Sequence, residues 1–331
     1  MWTWSNVSSA ARKPIKDRRL ARAFLQWLIV AAIFIFIGQR LAADWDQLTE
    51  ADLKIAPGSL ALSVLLLGLY MLLRGFIWHH LTRLLDVAIP AGKAVAGWFY
   101  SQLGKYLPGK VFLFLGRLHY YKREGVSAGR FSLAFGLELV ATFAASILTV
   151  LMAALTLDSP AVERYRPYLL LALVLLLISL HPRILTLFIR IGYRILRREP
   201  FEVTVSYGAM LRFVGLYILN WMIFGLALYA FIRSFHPIPA STSIYLAGAF
   251  SFSSLMGMIA VFVPSGLGVR EGILGLFLIR LMPEALALLT ALAARVWFTV
   301  VELLGIGAVA AFARLARPEY HPPTLPDPAE D

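Results

Sequence analysis

Repetition is the feature that most constrains this chain: apolar runs close to the length of a membrane span recur from near the N-terminus to about Ala313, separated by short polar stretches. A transmembrane helix needs roughly 20 such residues, and backbone inside a bilayer must satisfy its own hydrogen bonds, which helices do. The expected fold is therefore an all-α, polytopic integral membrane protein. Of the 331 residues, 60% are hydrophobic and 15% charged, whereas a soluble domain carries about 45–50% and about 25%. The chain divides into a basic N-terminal arm (1–22), a transmembrane domain (23–313) and a C-terminal tail (314–331). Neither polar end has the roughly 100 residues of a folded catalytic domain, so any chemistry is expected in or against the bilayer.

There is no cysteine, which excludes disulfides, thiolate metal sites and cysteine nucleophiles. The net charge of +12 reflects basic loops facing anionic lipid headgroups. With no soluble surface left to form a groove, nucleic acid is not expected as a partner. The six histidines lack ligand spacing, and neither Ser265 nor any other serine has an evident His and acid partner. No catalytic residue, cofactor or metal is expected.

Arg12, Lys13, Lys16, Arg18, Arg19 and Arg22 precede the first apolar run and place the N-terminus in the cytoplasm. Spans are expected at about Phe24 to Gly38 and Ser59 to Trp78, with Arg74 snorkelling toward the inner end of the second. The run from Ala94 to Gly116 is broken by Gly104, Lys105, Tyr106, Leu107, Pro108, Gly109 and Lys110, and Pro with Gly ends a helix. Basic residues flank the break on both sides, as expected of a re-entrant hairpin opening to the cytoplasm; a single kinked span is the alternative. Further spans follow at Phe131 to Leu157, Tyr168 to Leu180 and Gly208 to Ile232, with a basic surface helix at Ile184 to Leu196. Ser243 to Val263 is interrupted at Pro264 to Gly272, Ile273 to Leu281 is half a span, and Leu286 to Phe312 is the last helix. The crossings number six or eight, depending on whether Ser243 to Leu281 crosses twice or forms a second hairpin. Two interrupted segments opening to opposite faces would suit an inverted repeat.

An ionisable residue at bilayer depth costs about 2.5–3.5 kcal/mol and normally meets a partner or a wet cavity. Glu138, Arg295 and Glu302 lie at such depth. Arg295 and Glu302 are seven residues apart, on one helix face and about 10 Å from each other, so each needs a partner from elsewhere. Glu138 is a candidate for Arg295, and Arg270 or Lys110 for Glu302. These groups either clamp helices together or line a cavity with Asn220. Helix starts after Pro108-Gly109 and within Gly266-Leu267-Gly268 would present backbone N–H groups, with Lys105, Lys110, Arg117 and Arg270 beside them. A phosphate or carboxylate headgroup is the natural ligand. Lys105 and Arg117 could equally be snorkelling residues, and Tyr106 an interfacial anchor.

Lys105-Tyr106-Leu107-Pro108-Gly109-Lys110, followed by Gly116-Arg117, and Pro264-Ser265-Gly266-Leu267-Gly268-Val269-Arg270-Glu271-Gly272 resemble the two signature segments of the lysylphosphatidylglycerol synthase transmembrane family, also called the flippase-like domain family. The resemblance spans about Leu20 to Ala313. It implies lipid handling by the membrane domain and, since the sequence ends at Asp331, a stand-alone member without the soluble transferase. Two functions follow as expectations. One is a flippase or headgroup transporter of the plasma (inner) membrane, holding a membrane lipid or lipid-linked headgroup at the broken helices, with Glu271 and Glu302 balancing the cations. The other is a non-catalytic accessory subunit alongside an enzyme of a lipid, hopanoid or surface-glycan pathway.

Overall fold

The computed structural model describes residues 54–106, 111–157, 160–187, 205–260 and 266–315, except Ala88 and Leu185, together with Ile35 and Gln39. The expected first span, most of the Ile184 to Leu196 helix, and Leu107, Pro108, Gly109, Lys110, Pro264 and Ser265 lie outside the described residues.

Every regular element among these residues is helical: α1 (Pro57–Leu84), α2 (Ala91–Gln102) running into a 3-10 turn (Leu103–Tyr106), α3 (Val111–Arg123), α4 (Ala128–Leu155), α5 (Pro160–Ser179), α6 (Tyr207–Arg233), α7 (Thr242–Ile259), α8 (Val269–Leu278) and α9 (Glu284–Leu315). Five of them, α1, α4, α6, α7 and α9, are long and apolar enough to cross a membrane. The protein is an all-α, multi-pass membrane protein. On α1, Leu62, Leu65, Leu69, Leu72 and Phe76 recur at three- and four-residue spacing and are exposed, which makes that stripe a lipid contact.

Lipid is as apolar as leucine, so close packing of small residues, rather than hydrophobic burial, holds such helices together. α4 buries Ala134, Ala141, Ala144, Ala145 and Ser146, and packs against α7 and α6. α1 and α6 run antiparallel: the Ala56 N–H donates to the Ser234 carbonyl at 2.7 Å, and deeper in the bundle Asn220 Nδ2 donates to the Tyr70 carbonyl at 2.9 Å.

Short connections then fix both interrupted segments as hairpins. α2 follows closely on α1 and α3 leads closely into α4, and Lys93 at the start of α2 bridges Glu124, just after α3, at 2.8 Å. The α2–α3 hairpin therefore enters and leaves at the end of the bundle that holds the C-terminus of α1. α7 and α8 are likewise tied at their outer ends, where the Tyr245 hydroxyl donates to the Phe277 carbonyl at 2.8 Å. Helix α9 carries both. Going from its C-terminus toward its N-terminus, Phe99 of α2 packs on Gly305, Lys105 meets Glu302, Glu271 of α8 meets Arg295, and Leu288 packs on Gly275. The hairpins thus enter from opposite ends and meet tip to tip along α9. Within Ser243 to Leu281, α7 and α8 fold back on each other as a hairpin.

Glycine is required where the tips fold back. A Cβ at Gly104 would lie 2.5 Å from the Phe112 carbonyl oxygen. Gly266 has φ +67°, and a Cβ there would lie 2.7 Å from the Gly257 oxygen. One boundary differs from expectation: α5 begins at Pro160, ahead of Tyr168, and includes Glu163, Arg164 and Arg166. Proline suits a first helical turn, and an apolar window cannot register a helix that continues past the hydrocarbon.

Candidate functional site

The charged groups at membrane depth fall into three sets. The first lies between the first hairpin and α4. Arg117 of α3 donates from NH1 to Glu138 Oε2 at 2.6 Å and from Nε to Ser101 Oγ at 3.0 Å. Its guanidinium lies over the Trp78 ring at 4.5 Å and the Phe135 ring at 5.4 Å. The two side chains are 2% and 7% exposed. Carboxylate, hydroxyl and aromatic faces satisfy the cation from every side, so this is a closed clamp. Arg117 does not snorkel, and Glu138 partners Arg117 rather than the expected Arg295.

The second set is the meeting point of the hairpin tips. Lys105, in the 3-10 turn after α2, bridges Glu302 of α9 at 2.5 Å, and the neighbouring Tyr106 hydroxyl donates to the other carboxylate oxygen at 2.6 Å. Glu302 is itself 1% exposed. From the other side, α8 begins at Gly268, whose φ of 81° turns its N–H onto Glu271 Oε2 at 2.7 Å. Glu271 thereby caps its own helix, so this helix start is already met by a carboxylate and is not an open anion cradle. The remaining oxygen, Oε1, lies 3.5 Å from both Arg270 Nε and Arg295 NH1.

Phe298 joins the two tips. The Lys105 ammonium lies 4.9 Å and the Arg270 guanidinium 5.3 Å from its ring centroid, and Arg270 also stacks on Phe250 at 4.9 Å. One ring thus holds a cation from each hairpin, an arrangement favoured by the ring quadrupole. The junction gathers Lys105, Arg270 and Arg295 around Glu271 and Glu302, three cations to two carboxylates among the described residues. It is not sealed: Lys105 is 21% exposed, and Arg270 and Arg295 are each 13%.

Among the expected site residues, the structure thus brings together Lys105, Tyr106, Gly266, Gly268, Arg270, Glu271, Arg295 and Glu302, and sets Arg117 and Glu138 apart as the clamp. Pro108, Gly109 and Lys110 lie outside the described residues. Arg295 meets Glu271 and Glu302 meets Lys105, from different hairpins, where Glu138 and Arg270 were expected; the other expected partner of Glu302, Lys110, lies outside the described residues.

Arg74 makes the third set and corrects the expectation of snorkelling. It turns into the bundle, where NH1 donates to the Tyr70 hydroxyl at 3.1 Å and NH2 to Thr142 Oγ1 at 3.3 Å. The rings of Tyr217 and Trp221 lie 5.2 and 5.8 Å from its Cζ. Sequence reasoning missed this residue, and also Phe298 and Phe250. For Arg74 the available signal was Tyr70 one turn before it on the same face. An aromatic among many in an apolar run carries no signal at all.

No individual curated protein matches the chain. A family profile, the lysylphosphatidylglycerol synthase TM region, matches residues 23–305, a range that takes in both hairpins, the clamp and the junction on α9. The family is consistent with a membrane lipid-related role. The protein, multi-pass and helical throughout its described residues, belongs to the lysylphosphatidylglycerol synthase TM region family.

Proposed function

We propose that the protein moves an anionic lipid, or a lipid-linked headgroup, between the leaflets of the plasma (inner) membrane, with the hairpin junction as the headgroup site. The observation that carries this reading is the surplus of cation over carboxylate at the junction, in side chains that keep partial exposure. Positive charge gathered at bilayer depth is unfavourable by itself, and a phosphate or carboxylate on a lipid is drawn to such a cluster. Arg270 and Lys105 contact the headgroup, Phe298 holds both cations beside it, and Glu271 and Glu302 offset part of their charge. Hairpins opening to opposite ends suit passage between leaflets.

The end that holds the base of the first hairpin is the cytoplasmic one in this reading. Arg83, Lys93, Lys122, Arg123 and Arg130 lie there, with Arg183 just after α5, in keeping with the positive-inside rule. Both termini then face the cytoplasm.

The test is a leaflet-specific translocation assay on purified protein in liposomes, using acyl-labelled phosphatidylglycerol and, for comparison, an acyl-labelled uncharged lipid. The anionic lipid is expected to move faster than the uncharged one. Arg270→Gln is expected to slow it by about tenfold, equivalent to about 1.4 kcal/mol, without loss of folded protein. Equal movement in wild type and Arg270→Gln would reject the headgroup site and favour an accessory role beside a pathway enzyme.

A further inference from the structure

Arg74 is a cation without a carboxylate among the described residues. The carboxylates at membrane depth there are otherwise engaged: Glu138 holds Arg117, Glu271 holds the start of α8 with Arg270 and Arg295, and Glu302 holds Lys105 and Tyr106. Glu138 acts on Arg74 only at longer range. The hydrogen bonds of Arg74 go to two neutral hydroxyls, those of Tyr70 and Thr142.

The side chains around it are also unsatisfied. Arg74 Nε, the Tyr217 hydroxyl and Trp221 Nε1 are each buried with no hydrogen-bond partner, and Tyr217 and Trp221 are 0% and 4% exposed. Tyr217 and Trp221 are one turn apart on α6, so both rings flank the same guanidinium. Arginine Nε and indole Nε1 can only donate. What these atoms lack is an acceptor, and beside an uncompensated cation the acceptor that also balances charge is an anion.

We infer that Arg74, where α1, α4 and α6 meet, is a second oxyanion station, binding a phosphate or carboxylate group through its guanidinium with Tyr217 and Trp221 as further donors. This deepens the headgroup reading and rests on it for the class of ligand, while the residues involved are separate from those of the junction. Arg74, Thr142 and Tyr217 come from three membrane-crossing helices, none of them part of a hairpin. A headgroup held here is bound by the fixed wall of the bundle and one held at the junction by the hairpin tips. The same chemistry has two sources, a lipid phosphodiester or a free oxyanion.

The experiment labels the protein with 5-fluorotryptophan in maltoside micelles and assigns the Trp221 fluorine resonance with Trp221→Phe. Sodium phosphate and dihexanoyl phosphatidylglycerol are titrated separately. A saturable shift of the Trp221 resonance is expected. A response to phosphate alone makes a soluble oxyanion a source, and a response to the lipid only assigns the station to the phosphodiester. Arg74→Gln is expected to abolish the shift, and Tyr217→Phe to weaken the apparent affinity severalfold. No saturable shift with either probe overturns the station. So does a shift that persists at unchanged affinity in Arg74→Gln or, should that variant fail to fold, in Tyr217→Phe. A silent Trp221 combined with translocation lost in Arg270→Gln removes the station and leaves the junction. A responsive Trp221 with translocation unaffected by Arg270→Gln does the reverse.

Discussion

The Arg117–Glu138 clamp and the hairpin junction use the same residue types at membrane depth, yet they are built for opposite ends. The clamp is one cation to one carboxylate at 2.6 Å, with both side chains almost fully covered. Among the described residues the junction sets three cations against two carboxylates, with two contacts at 3.5 Å, partial exposure, and Glu271 Oε1 lacking a hydrogen bond. A charge-balanced, sealed pair has nothing left to offer a ligand and serves to fix α3 against α4. In the junction Glu302 is held as tightly as the clamp but Glu271 Oε1 is not, and in the proposed reading such a charge-rich cluster retains capacity for an anion. In the proposed reading, balance and closure, rather than depth and residue type, separate the structural charge of the clamp from the ligand-binding charge of the junction.

Three substitutions probe that contrast. The largest effect is expected from Glu138→Ala, which leaves Arg117 buried without its carboxylate. Breaking one side of such a pair costs about 3–5 kcal/mol, so thermal melting of the purified protein should fall sharply, and a small change would show that the clamp is not structural. A smaller, severalfold effect is expected from Glu302→Gln. It releases Lys105 and Tyr106 and raises the cation surplus of the junction, so anionic headgroup binding should tighten while release and translocation slow. Weaker binding would mean that Glu302 positions Lys105 rather than offsetting it. The smallest effect is expected from Lys93→Ala. Its bridge to Glu124 is exposed on the lysine side, and such pairs contribute below about 1 kcal/mol, so melting and translocation should both stay near wild type. A large loss would show that the base of the first hairpin depends on this one tie.

How much of this was legible in the sequence follows from range. The long spans among the described residues were legible because an apolar run reports its own environment, and the breaks were legible because glycines such as Gly104, Gly266 and Gly268 interrupt helices locally. The basic flanks pointed to the first segment as a hairpin, whereas the sequence left open whether Ser243 to Leu281 crosses twice or folds back. Partner choice was not legible. Lys105 meets Glu302 across 197 positions and Arg117 meets Glu138 across 21, and nothing local distinguishes those pairings from the expected ones. Arg74 was misread because it lies ten residues before the end of α1, where an arginine can reach the interface or turn inward. The hydroxyls of Tyr70 and Thr142 and the rings of α6, which draw it inward, come from packing.

The measurement that bears most directly on the account places two variants side by side in the liposome assay. Arg270→Gln removes one junction cation, and the double substitution Arg117→Met with Glu138→Leu replaces the clamp by apolar side chains, a change that buried pairs often tolerate without loss of stability. The account predicts that Arg270→Gln slows movement of the anionic lipid about tenfold, about 1.4 kcal/mol, while the double variant, folded and inserted, moves it at the wild-type rate. Translocation lost in the double variant and retained in Arg270→Gln would contradict it, and would assign the ligand to the clamp.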